Sequence, residues 1–131
     1  MPPLDSSPSI GQSVVTSVFG TLASVNLKAQ VEFYQAFLAV DPQPSTPTYA
    51  EFHLSGLRLA IFTPKQSNIT EFAAASSGAM SLCLEVKDLN GAIAQLTALG
   101  HEPPGEVMHT SHGDEIYAYD PDGNRLILHQ S

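Results

Sequence analysis

The chain has 131 residues, 43% apolar and 14% charged, which suits one folded domain with a core of ordinary size. Five Lys or Arg against thirteen Asp or Glu give a formal charge of −8, and a surface so acidic repels phosphate backbones, so nucleic acid is an improbable partner. No apolar run reaches the length of a membrane span or an export signal, which points to a cytoplasmic protein without a membrane partner.

In chain order, residues 1–15 are rich in Pro and Ser and read as a flexible lead-in to a single domain over residues 16–131. Residues 16–25 carry β-branched and small apolar side chains, the composition of a strand. Asn26 stands where a helix cap is needed, since its short side chain can accept from free first-turn amides. Leu27, Val31, Tyr34 and Leu38 follow at helical spacing, with Phe33 and Phe37 alongside, so residues 27–39 form a helix. Residues 41–47 contain Pro42, Pro44 and Pro47, each lacking a backbone donor, and should be irregular. Strands over 48–54 and 57–63 then meet at a Ser55-Gly56 turn, and residues 64–79 make a polar linker with one helical turn near Phe72.

The plan repeats. Residues 80–86 form a strand, Asp88 caps a helix marked by Leu89, Ile93, Leu96 and Leu99, and Gly100 suits its left-handed exit. Strands over 106–109, 114–119 and 124–130 complete the second half, the last two joined by Asp120-Pro121-Asp122-Gly123. The lone cysteine, Cys83, cannot form an internal disulfide, and its apolar neighbours predict a buried, inert thiol.

The halves superpose. Leu22, Asn26, Leu27, Val31 and Phe37 meet Leu84, Asp88, Leu89, Ile93 and Leu99. After a five-residue insertion, Phe52, Gly56, Arg58 and Leu59 meet Tyr119, Gly123, Arg125 and Leu126. A shared order of strand, cap, helix and hairpin argues for internal duplication, with module one at about 16–63 and module two at about 80–131.

Three segments resemble the vicinal oxygen chelate superfamily. The stretch from Asn26 to Phe33-Tyr34 and Phe37-Leu38 is similar to its first helix signature. Glu85 to Leu89 with Leu96 and Leu99-Gly100 is similar to the counterpart in the second module. His112-Gly113 and Tyr119 to Leu126, with the core Asp120-Pro121-Asp122-Gly123-Asn124, resemble the closing segment. One departure is Ala39, where the family usually has glycine. The resemblance implies an α+β fold of two tandem βαβββ modules, a curved mixed sheet around a cleft with helices on the outer face. The family includes glyoxalase I, extradiol dioxygenases and bleomycin-resistance binding proteins, and its two-module members often pair as homodimers.

In its metal-dependent members the ligands are mostly His, Glu or Gln, one from the first and one from the last strand of each module. Those positions fall here at Phe19, Ala60, Ser81 and Ile127, of which three have no lone pair and the fourth offers only a hydroxyl. The resemblance therefore implies a cleft without a metal or other cofactor. Period two adds Phe62, Glu85 and His129 to the same faces, giving an apolar and aromatic cleft suited to a small aromatic or cationic ligand. The alternative is a lyase, isomerase or dioxygenase-like enzyme in which Glu85 or His129 acts as an acid–base group. His109, His112 and Asp114 match no ligand spacing and read as a solvated loop.

Overall fold

A computed structural model of the chain describes residues 14–73 and 78–131; residues 1–13 of the anticipated lead-in over residues 1–15 lie outside that span, as do residues 74–77 of the linker. Eight strands form two four-stranded mixed sheets. The first holds β1 (Gly20–Ala23), β2 (Ser45–Thr46), β3 (Tyr49–Leu54) and β4 (Leu57–Phe62) in the order β1-β4-β3-β2. The second holds β5 (Leu82–Glu85), β6 (Met108–Thr110), β7 (Gly113–Tyr119) and β8 (Arg125–Gln130) in the order β5-β8-β7-β6. In each sheet the first strand runs parallel to the last of its module and the other pairs are antiparallel.

The helices close one face of each sheet. Helix α1 (Leu27–Leu38) packs on β4 and α3 (Leu89–Ala98) on β8, while a 3-10 turn at Gln66–Asn68 runs into the short α2 (Ile69–Phe72) of the linker. Period two sends alternate strand residues under the helices, where burying each large apolar side chain contributes about 1.5–3 kcal/mol. Phe52, Leu59 and Ile61 of module one and Ile116, Leu126 and Leu128 of module two are thus buried in one shared core, with Tyr34 and Leu96 from the helices.

Several expectations need correction. The first strand is shorter than residues 16–25, and Val14, Val15 and Val18 are largely exposed. Residues 45 and 46, inside the Pro-rich stretch, pair with β3 as a two-residue edge strand, because Pro44 and Pro47 flank them and leave their own donors intact. Asn26 makes no side-chain cap; its backbone amide instead donates to Ser24 Oγ at 2.9 Å. Asp88 does cap α3, accepting from Gly91 N at 3.1 Å. Cys83 is exposed, because Leu82 and Leu84 take the helix-facing side of β5 and alternation turns the thiol outward.

Register also revises the superposition. Leu59 and Leu126 are equivalent, pairing with Gly20 and Leu82 at corresponding places. Across the hairpins, however, Leu59 pairs with Phe52 whereas Leu126 pairs with Ala118. The structural counterpart of Phe52 is therefore Ala118, not Tyr119, and Leu54 corresponds to Asp120. The longer turn of module two shifts its strand by one residue, and a one-residue shift changes the face of every side chain.

Candidate functional site

The faces opposite the helices carry the residues singled out in the sequence. On module one, cross-strand rows place Thr21 with Ala60 and Glu51, Ala23 with Phe62 and Tyr49, and Arg58 with His53. Phe19, just before β1, shares this side; its ring lies under the Arg58 guanidinium, 5.6 Å from centroid to carbon. On module two the rows are Cys83 with Ile127 and Tyr117, and Glu85 with His129 and Glu115. Ser81, just before β5, accepts from Arg125 Nε at 2.7 Å. All seven expected cleft residues thus fall on the faces opposite α1 and α3, Phe19, Ala60 and Phe62 on one sheet and Ser81, Glu85, Ile127 and His129 on the other.

Their environments differ. Ala60 is fully buried, so it shapes the floor of the face without reaching a ligand's polar groups. Phe62 is half-buried and meets Phe72 edge-on, with ring centroids 5.3 Å apart. Ile127 is half-buried, whereas Phe19 and Tyr117 stay 41% and 42% exposed.

The candidate acid–base pair is locked. His129 Nδ1 lies 2.6 Å from Glu85 Oε1, and its Nε2 lies 3.1 Å from the carbonyl oxygen of His112. Carboxylate and carbonyl are both acceptors, so the geometry is satisfied when both ring nitrogens donate, as in the imidazolium. The Glu85 hydrogen bond raises the His129 pKa, and the same bond, aided by Ser131, lowers that of Glu85. Glu85 Oε2 meanwhile accepts from Ser131 N and Oγ at 3.0 and 2.8 Å. Both ring nitrogens of His129 and both oxygens of Glu85 are thus engaged within the chain. Gly113 makes this possible: at φ 136° it brings the β6–β7 turn so close that an added Cβ would lie 2.3 Å from the Gln130 carbonyl oxygen.

The His112 contact escaped the sequence reading. His112 stacks on His129 at 5.3 Å, and its Nε2 is 3.5 Å from Glu115 Oε1. His109 and Asp114 are register partners on β6 and β7, joined at 2.8 Å, rather than members of a free loop. Module one has a parallel arrangement that sequence inspection also missed. Glu51 accepts from Tyr49 Oη at 3.0 Å and lies 3.0 Å from His53 Nε2. The missed signal was period two itself: Tyr49, Glu51 and His53 alternate with buried Ala50 and Phe52.

The donor set does not fit a metal of the family's kind. Phe19, Ala60 and Ile127 offer no lone pair, and the Ser81 hydroxyl is met by a guanidinium that would repel a cation. Among the described residues no three His, Cys, Asp or Glu side chains converge on a common point. No helix among them is long and apolar enough to cross a membrane.

Comparison with known proteins agrees with this architecture. Residues 17–128 match the family model of the Glyoxalase/Bleomycin resistance protein/Dioxygenase superfamily. A glyoxalase-related enzyme from Fulvimarina pelagi is structurally similar at a TM-score of 0.72 and 22% identity, covering 89% of each chain. Protein ATC0852 from Agrobacterium tumefaciens gives 0.72 at 28% identity, over 86% of this chain and 93% of that one. The bleomycin resistance determinant encoded on transposon Tn5 gives 0.63 at 19% identity, over 89% and 98%. No curated protein matches the chain.

Proposed function

The chain belongs to the Glyoxalase/Bleomycin resistance protein/Dioxygenase superfamily, and we propose that it binds a small organic ligand on the sheet faces opposite α1 and α3 without a metal or other cofactor and without transforming it. The observation that carries this reading is the pairing of Glu85 with His129: the strongest acid–base candidates on the faces are consumed by each other, by Ser131 and by the His112 carbonyl. The aromatic alternative for the ligand is favoured over the cationic one. Glu51 and Glu85, the carboxylates that would attract a cation, are each engaged by a histidine and a hydroxyl. Phe19, Phe62 and Tyr117 supply stacking surface.

The half-exposed rings on both faces support a homodimer, in which a second copy covers them and completes the cleft. Residues 16–131 act as one unit because both modules contribute to one core. The cytoplasm is the compartment that fits a reduced cysteine and an acidic surface. Screening aromatic and cationic small molecules for equilibrium binding, with each hit followed for turnover, tests the proposal. Binding without product supports it. Product formation from a hit, or stoichiometric Ni, Zn, Fe or Mn in protein purified without chelator, overturns it in favour of an enzyme. Light scattering at the mass of one chain would remove the dimer.

A further inference from the structure

We propose that module one carries an anchor for an aromatic carboxylate, in which Arg58 receives the carboxylate and the apolar wall of Val18, Leu54 and Leu57 the ring. The inference rests on the ligand-binding reading above and adds the charge of the ligand and the residue that selects it. A concavity of about 320 Å³ opens where the chain enters β1 and passes the β3–β4 turn. Val18, Leu54 and Leu57 form its apolar wall, and Ser17, His53 and Arg58 its polar one. That volume suits a one-ring molecule.

Among the described residues no carboxylate lines it, in a chain with thirteen Asp or Glu residues and a formal charge of −8. Arg58 is exposed, and among the described residues its guanidinium makes no hydrogen bond or ion pair; what it touches is the Phe19 ring. Its pseudo-equivalent Arg125 shows the contrast. That side chain is consumed by Ser81 Oγ and the Gly78 carbonyl, which pin it to the start of β5. At the matching place in module one stands Phe19, which can stack under a guanidinium but cannot accept a hydrogen bond from it. The fork of Arg58 is left with its donors unspent beside the apolar wall of Val18, Leu54 and Leu57, an arrangement that a planar carboxylate on an aromatic ring completes.

Glu51 stands one row along the face, and its oxygens are met by Tyr49 and His53. His53 Nε2 also faces the Gln43 carbonyl, so the imidazole is engaged by Gln43 and Glu51 and leaves the anion to Arg58. One guanidinium matches one negative charge. A phosphate dianion would bring a second negative charge into an already acidic molecule, with no further Lys or Arg lining the concavity among the described residues.

Benzoate, benzamide and benzylammonium, titrated into the intact chain by heteronuclear NMR, separate the possibilities. Benzoate should bind about tenfold tighter than benzamide, the range of a charge-assisted pair, and benzylammonium weakest. Arg58→Gln should abolish the benzoate advantage and leave benzamide binding unchanged, while Arg58→Lys should restore part of it. Lys28→Gln, which removes the same charge from the exposed side of α1, should change nothing. Higher ionic strength should erode the benzoate preference. Benzylammonium binding tightest, or benzoate binding equally well to the Arg58→Gln variant, overturns the carboxylate anchor and leaves aromatic binding standing. Failure of all three probes to perturb either face overturns both readings.

Discussion

The two β-hairpins that end the modules occupy equivalent places and behave differently. In module one the turn is Ser55-Gly56, two residues between Leu54 and Leu57, and Leu54 lines a groove of about 630 Å³ shared with Phe37, Leu84 and Ala92. In module two the turn spans Asp120 to Asn124, and Asp120, the counterpart of Leu54, is 3% exposed and reaches into the other module. Its carboxylate accepts from Gln30 Nε2 at 3.0 Å and Tyr34 Oη at 2.7 Å on α1, and from Asp122 N, Asn124 N and Asn124 Nδ2 within its own turn. Burial and the Asp120 charge push the Tyr34 phenol far above the ordinary tyrosine range, so it stays a donor at all working pH values. The lesson is that duplication supplied two similar hairpins and one inserted residue divided their tasks. One fastens the halves together; the other leaves open space between them.

Removing the fastening should have the largest effect. Asp120→Ala leaves buried donors on Gln30 and Tyr34 without an acceptor, and should cost about 3–5 kcal/mol, read from the urea midpoint. An unchanged midpoint would mean that the second hairpin is as idle as the first. Tyr34→Phe removes one donor and leaves the others, so about 1–2 kcal/mol is expected by the same measurement.

Helix exits sharpen the comparison further. Gly100 ends α3 at φ 88°, while Ala39 ends α1 at φ 56°, a left-handed conformation that strains any residue with a Cβ. Ala39→Gly should raise thermal stability by about 0.5–1 kcal/mol, and Gly100→Ala should lower it by about 1 kcal/mol, so the module that departs from glycine has room to improve.

The smallest effect concerns the Glu85–His129 pair. The folded His129 pKa is raised, so its contribution is complete below the ordinary imidazole value of 6.5 and fades as pH climbs through the raised value. The Glu85 pKa is lowered, so its contribution holds above 4.5 and fades as pH falls through the lowered value. Both are in place between pH 4.5 and 6.5. In an NMR titration His129 should therefore titrate above 6.5, and Glu85→Gln should bring it down. A His129 titration unmoved by that substitution would break the proposed lock on module two.

Much of this was legible in the residues alone. Helical spacing of Leu27, Tyr34, Leu89 and Leu96 placed both helices, Gly56 and Gly123 marked both turns, and the Asp120-to-Asn124 stretch pointed to the family. The Gly-x-Arg-Leu repeat aligned β4 with β8 correctly. These features are local: spacing and backbone conformation are determined within a few residues, and a linear reading captures them.

What escaped depends on parity and on contacts across the chain. The residue inserted at the second turn moved Tyr119 off the buried face and put Asp120 there, which only cross-strand register reveals. Cys83 turned outward although its neighbours are apolar, because alternation outranks composition. Gln30 and Asp120, both polar, are buried because they meet each other across 90 positions of sequence, and a polar group goes into a core only where the fold delivers its partner.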